Sequence, residues 1–243
     1  MGLRDLFTGK NRQQSRIEKL IRKVENPYGQ SADRFYAMEQ LLQIGSEAAL
    51  AGLLRRFNIA ASKSIEDEEE KAWVFQKLSD LPPDVVLPAV KKFCLAHENI
   101  AWALRIIEDI SNDEQEWDIL NALLAQHPPG YERDPAKKLQ LLTHVAEITD
   151  PRVSAIIAAY LNDNDEGTRF FCVETLFNIA ELTAIKPLVE RLTDPREDSI
   201  RLRAAILDGF VRLKWDVNDY HDRIIARLGP EYKLVDQVIQ KRI

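Results

Sequence analysis

VAEITDPRVSAIIAAYLNDNDEGTRFFCVETLFNIAELTAIKPLVERLTDPREDSIRLR, residues Val145 to Arg203, is the stretch on which the fold turns. In its middle, Cys172, Val173, Leu176 and Ile179 are apolar at spacings of one, three and three residues, which puts them on one stripe of an α-helix. Taking Ile179 as the last anchor of that stripe, the same arrangement is found upstream and downstream. The segments LLQIG (Leu41 to Gly45), KLSDL (Lys77 to Leu81), IIEDI (Ile106 to Ile110), HVAEI (His144 to Ile148), LFNIA (Leu176 to Ala180) and GFVRL (Gly209 to Leu213) superpose, with anchors Ile44, Leu81, Ile110, Ile148, Ile179 and Leu213.

Three residues before the anchors stand Leu41, Leu78, Ile107, Val145, Leu176 and Phe210. Six before stand Met38, Phe75, Leu104, Leu142, Val173 and Leu207, and seven before stand Ala37, Val74, Ala103, Leu141, Cys172 and Ile206. All 24 positions in these four columns are apolar in a chain that is 45% apolar, so the repeat is not an accident of composition. The anchors are 37, 29, 38, 31 and 34 residues apart, the scale of two-helix repeats. A second helix is expected after each first one: Ser46 to Phe57, Pro83 to Leu95, Glu114 to His127, Pro151 to Leu161, Thr183 to Leu192 and Asn218 to Leu228. Gly45, Pro82-Pro83, Ser111-Asn112-Asp113, Thr149-Asp150-Pro151 and Thr183 supply the helix stops and caps between them.

A lone hairpin cannot cover its own apolar faces, so the hairpins are expected to stack. Upstream, Ile17, Leu20, Ile21 and Val24 form an apolar stripe on a basic helix, and downstream Leu234, Val235, Val238 and Ile239 read as a final helix. The domain plan is therefore a basic arm and capping helix over 1–30, repeats over 31–229 and a C-terminal capping helix over 230–243.

The order helix, Asp-Pro turn, second helix, Asp-rich loop, Arg, next helix in Val145 to Arg203 resembles the HEAT family, in particular the bacterial HEAT-like subtype named after phycobilisome lyase subunits. The resemblance implies an all-α fold, a right-handed α-solenoid of about six HEAT-like helical hairpins with capping helices at both ends. HEAT hairpins often begin with a basic residue that reaches an acid of the adjoining repeat. Ten residues before the anchors stand Arg34, Lys71, Ile100, Lys138, Arg169 and Arg203, five of the six basic. With acids such as Asp33, Asp165 and Glu166 nearby, this column reads as an inter-repeat ion-pair ladder, and ligand binding is the alternative. HEAT repeats specify a scaffold, not an activity.

Function then has to lie beside the apolar stripe. Near the ends of the second helices stand Arg56, Lys92, Arg191 and Arg227; on a concave face they would form a positive ladder for an acidic peptide or a phosphate backbone, and otherwise they are solvated cations at helix C-termini. Ala158 and Ala159 break the column in the fourth repeat. Eight residues before the anchors, Tyr36, Trp73, Trp102 and Phe171 lie off the centre of the stripe, where they either pack between repeats or present rings to a partner. Glu66 to Glu70 reads as part of a long loop, and Glu108 to Asp118 holds six acids with no Lys or Arg; solvated surface and a dock for a basic partner are the two readings of both. Residues 1 to 25 carry seven Lys/Arg against three Asp/Glu, beside Leu3, Leu6 and Phe7, a combination for a capping helix or for weak membrane contact.

The charge of −6 and pI near 5.4 disfavour nucleic acid as a partner and leave a protein partner as the expectation. Cys94 and Cys172 are far apart and in no metal-ligand or redox spacing, which fits a reducing cytoplasm. No apolar run is long enough for a transmembrane segment. Deoxyhypusine hydroxylase is built on similar repeats but holds its irons through several His-Glu pairs, and here only His97-Glu98 occurs. HEAT-like alkylpurine DNA glycosylases find a faint echo in Trp117-Asp118, set among carboxylates that would repel phosphates. With no phosphate loop, nucleophile elbow or zinc helix motif, the reading is a non-catalytic interaction scaffold without cofactor or metal, the glycosylase-type nucleic-acid protein being the alternative.

Overall fold

The computed structural model describes residues 3–242, with side chains from residue 11 onward. Leu3, Leu6 and Phe7, the apolar side chains of the basic arm, lie outside the described residues. Among the described residues the regular structure is helical apart from a two-stranded sheet near the C-terminus, and the chain divides into two compact units, Met1–Leu124 and Ala125–Ile243. No described helix is long and apolar enough to cross a membrane.

In the first unit, α1 (Leu3–Val24) precedes three hairpins: α2 (Ser31–Ile44) with α3 (Glu47–Leu54), α4 (Ser64–Ser79) with α5 (Pro83–Ala96), and α6 (Ala101–Ile110) with α7 (Asp113–Gln126). A 3₁₀ turn, Arg55–Asn58, extends α3. Ile17, Leu20 and Val24 of α1 are buried where α1 packs on α2 and α3. The α2–α3 turn is closed by Gly45, whose φ of 61° belongs to the left-handed region and whose N–H returns to the Leu41 carbonyl; Ser46 then caps α3 through the Ala49 N–H.

In the second unit, α8 (Ala136–Glu147) pairs with α9 (Arg152–Ala159), α10 (Glu166–Ile179) with α11 (Ile185–Thr193), and α12 (Ile200–Leu213) with the short α13 (His221–Ile225). Asp165 and Ser199 cap α10 and α12, and both helices end in left-handed residues that are not glycine, Ala180 (φ 58°) and Lys214 (φ 53°).

The apolar columns divide by depth. Every residue three and seven positions before an anchor is buried, as is every residue six before except Phe75. Burying a side chain of this kind contributes about 1.5–3 kcal/mol, so these columns carry the core. The six anchors themselves are only half-buried, because each stands at or just past the last turn, where the stripe runs out from under its neighbour. Cys94 and Cys172 are free thiols, one in the core of each unit.

Two expectations are corrected. Residues 230–243 do not form a capping helix: β1 (Tyr232–Val235) and β2 (Val238–Lys241) pair antiparallel, Val235 opposite Val238. Asp236 and Gln237 both have positive φ (47° and 69°), the geometry of a two-residue hairpin turn. The hairpin packs on α12, with Ile239 buried, Tyr232 Oη donating to Asp208 Oδ1 at 2.8 Å and Val217 N–H donating to the Gln237 carbonyl at 3.0 Å. Glu66 to Glu70 lies not in a loop but in the opening turns of α4, where carboxylates are favoured by the helix dipole.

Candidate interaction surface

The two basic columns read separately from the sequence converge on shared carboxylates. In the first unit, Arg34 on α2 and Arg56 in the turn after α3 meet at Glu70 on α4. Arg34 Nε and Nη2 donate to Glu70 Oε2 and Oε1 at 2.8 and 2.9 Å, and Arg56 Nε donates to Glu70 Oε2 at 2.6 Å. Ser31 Oγ adds a bond of 2.7 Å to Glu70, and Arg56 Nη2 also reaches Asp67 Oδ1 at 2.7 Å. The Arg34, Arg56 and Glu70 side chains are at most 1% exposed. Remaining guanidinium N–H groups are taken by backbone carbonyls, Gly29 at 2.6 Å for Arg34 and Ile59 at 3.1 Å for Arg56.

Burial pushes the Glu70 and Asp67 carboxyls up, but donors outweigh it. Bonds from Arg34, Ser31 and Arg56 hold Glu70 below its ordinary value, and bonds from Lys71, the Ala61 N–H and Arg56 hold Asp67 at about 2. Arg34 is correspondingly raised, first by its bond to Glu70.

In the second unit, Arg169 on α10 and Arg191 on α11 meet at Glu197, at 3.0 and 3.2 Å, and Arg191 also pairs with Asp194 at 3.0 Å. One hairpin earlier, where Ala158 and Ala159 replace the second-helix cation, Lys138 alone reaches Asp163 at 2.6 Å. The backbone N–H groups of Gly130 and Asp165 supply the missing donors to Asp163, at 3.0 and 2.9 Å. The acids that complete these rungs, Glu70, Asp67, Asp163 and Glu197, are not Asp33, Asp165 and Glu166, the acids read as partners of the column, although Asp67 and Glu70 belong to the acidic run Glu66 to Glu70. They stand 11 to 16 residues before the next anchor, at the entry of the following first helix, and no fixed spacing marked them.

This corrects the partner-gripping column. Arg56 is wholly buried and Arg191 nearly so, each tied to carboxylates of its own unit, so neither can grip a partner. Lys92 is exposed and pairs with Glu47 at 3.2 Å; Arg227 is half-buried and lines a cleft together with Tyr232 and Glu231. Of Tyr36, Trp73, Trp102 and Phe171 only Tyr36 stays exposed, 54%, with Lys23 Nζ 5.7 Å from its ring. Trp73 meets Phe35 edge-on at 5.9 Å. Trp102 is stacked on Phe57 at 5.5 Å with the Arg105 guanidinium 4.5 Å from its ring, and Phe171 is half-buried on α10. These rings pack the hairpins.

What the second helices do offer is a groove in the first unit between α5 and α7. Its volume is about 520 Å³, its floor is Leu87, Pro88 and Ile119, and its rim is Asp84, Glu114 and Asp118 with Lys91, which is held by Asp118 at 2.6 Å. Asp84, Glu114 and Asp118 are exposed. Pro88 sits inside α5, where it has no N–H to give to the Asp84 carbonyl four residues back. The size is that of a ligand or side-chain anchor site, apolar inside and anionic at the edge. No sequence column pointed here, although Asp118 and Glu114 belong to the acidic run. Neither a family model, a curated protein nor a solved structure matches the chain.

Proposed function

We propose that this chain is a non-catalytic scaffold that holds a protein partner on its second-helix face, and that the α5–α7 groove is where the partner is anchored. The observation that carries this reading is the groove itself: an apolar floor with an open, charged edge is the form of surface in which one partner side chain is desolvated while the rim fixes orientation. The HEAT-like solenoid reading has its support inside each unit, where the buried columns recur and adjoining hairpins share ion-paired carboxylates. The committed state of Arg56, Arg191 and Trp102 speaks against the alternative, a basic nucleic-acid cleft, since the cations it would need are already paired.

A photo-reactive amino acid at Gln115, on the groove edge, tests the reading in the native cell. A discrete protein adduct is expected from Gln115, weakened by Glu114→Lys, with none from the same group at Arg223 on α13. Adducts to nucleic acid, or an equal yield from both positions, would sink it.

A further inference from the structure

The groove has a counterpart on the same unit. On α1, Arg12, Arg16, Lys19 and Lys23 are spaced four, three and four residues apart, so their side chains leave the helix within one narrow arc, and all four are exposed. At 1.5 Å per residue they form a straight cationic ridge of about 16 Å. Among the described residues none of the four has a carboxylate within ion-pair distance; Arg16 donates to the Gln40 amide at 2.6 Å, and Lys23 lies over Tyr36. The ridge thus runs along the edge of α2 and ends at an exposed ring. Four cations on one file repel one another, and among the described residues no carboxylate is paired with them.

Two classes of partner are disfavoured by the same geometry. From Ile17 to Val24 the apolar stripe of α1 is buried under α2 and α3, so this described part of the helix, beside the ridge, offers no apolar face to a bilayer. Glu39, next to the Gln40 that Arg16 bonds, is exposed, and a uniform polyanion such as nucleic acid laid along the ridge would be pushed against this carboxylate. A surface of mixed sign, mainly anionic and with an apolar recess for a ring, fits better. That is the description of the α5–α7 groove: Asp84, Glu114 and Asp118 for the cations, Lys91 for a flanking carboxylate, and the Leu87, Pro88 and Ile119 floor for Tyr36.

We infer that the occupant of the groove is a second copy of this chain, docked through the α1 ridge with Tyr36 seated on the groove floor. The inference rests on the groove reading above and names its partner. The contact is heterologous, ridge to groove, so a dimer keeps one free ridge and one free groove, and association continues beyond the dimer with rising concentration. Because the attraction comes largely from exposed charges, it weakens as salt shortens the Debye length from about 10 Å at 0.1 M to about 3 Å at 1 M.

Sedimentation velocity on the full chain, from micromolar to submillimolar concentration, provides the test. Wild type is expected to grow in sedimentation coefficient with concentration at low salt and to be monomeric at high salt. The ridge variant R16E/K19E and the groove variant D84K/E114K are each expected to be monomeric at every concentration, with wild-type circular dichroism because all four residues are exposed. Mixed in equal amounts, the two variants are expected to associate again, because the intact ridge of the groove variant meets the intact groove of the ridge variant, and the reversed ridge and reversed groove left over also carry opposite signs. Wild type that stays monomeric at low salt, or variants that fail to pair on mixing, would overturn the inference. The proposed scaffold function is read separately by the Gln115 cross-link: an adduct to a different protein from a monomeric wild type leaves that function standing and this inference refuted.

Discussion

The same device is built twice, once in each unit, and the two versions differ in what surrounds the shared carboxylate. In the first unit Glu70 takes bonds from Arg34, Arg56 and Ser31 and has no exposed surface. In the second, Glu197 takes Arg169 and Arg191, but Arg191 has Asp194 as well and Arg169 has the Asp163 and Asn164 carbonyls at 2.9 Å. Both rungs have further acceptors, Asp67 and the Gly29 and Ile59 carbonyls in the first, but the first unit's two guanidiniums are 1% and 0% exposed, against 11% and 8% in the second. Buried ion pairs contribute little net stability when intact, yet removing one partner leaves an uncompensated charge in the core.

The largest predicted effect follows directly. Glu70→Ala leaves two buried guanidiniums without their common acceptor and is expected to destabilise the protein by about 3–5 kcal/mol in denaturant unfolding. Glu197→Ala is expected to cost clearly less, since Arg169 and Arg191 keep 11% and 8% exposure and the charge left behind can reach water. Equal losses would break the comparison.

Acid sharpens it. Asp67 and Glu70 are both held below their ordinary values, so their contribution is fully present above the unfolded values, 3.8 and 4.5, and is lost as pH falls below them, for Asp67 through about 2. Thermal melts between pH 5 and about pH 2 should therefore fall steeply for wild type and less steeply for Glu70→Gln, which has one of the two groups removed.

Packing offers a smaller contrast. A Cβ on Gly209 would lie 2.2–2.4 Å from the Phe177 ring, which is itself held by Phe210 and Trp215, whereas a Cβ on Gly52 meets only the mobile end of Ile21. Gly209→Ala should cost about 1–3 kcal/mol by overpacking. Gly52→Ala should cost less, because Ile21 can rotate away and alanine favours the helix by about 1 kcal/mol. The smallest effects concern helix ends. Gly45→Ala places a Cβ at φ 61° and is expected to lose about 1 kcal/mol, while Ala180→Gly relieves the same conformation and is expected to gain a similar amount. Differential scanning calorimetry resolves both as opposite shifts in Tm.

What was legible in the sequence, and what was not, follows from the range of each signal. The core columns were legible because helical period is local: Leu41, Leu78, Ile107, Val145, Leu176 and Phe210 are buried for a reason written within one turn of each. The C-terminal hairpin was misread because Leu234, Val235, Val238 and Ile239 satisfy helical spacing and, equally, two short strands about a two-residue turn. Gly229-Pro230 and the β-branched residues that follow were the available signal against a helix. The rung acids could not be placed, since the entry to each first helix varies in length and a carboxylate there is buried or solvated according to where the loop carries it. The same non-local pairing hid Arg56 and Arg191: a cation near a helix C-terminus looks solvated until the acid that claims it, 14 residues away for Arg56 and Glu70, is brought alongside. The groove needs two helices in register and had no one-dimensional trace beyond its acidic rim.

The two thiols give each unit its own clock. Cys94 and Cys172 have no exposed surface, and burial pushes the Cys172 thiol up, away from the reactive thiolate. Folded protein should thus be inert to alkylating reagents, and each modification event records an opening of the unit that contains that thiol. Peptide mapping after timed labelling separates the two rates in one sample, so the fraying of one half can be followed against the other without a probe being added to either.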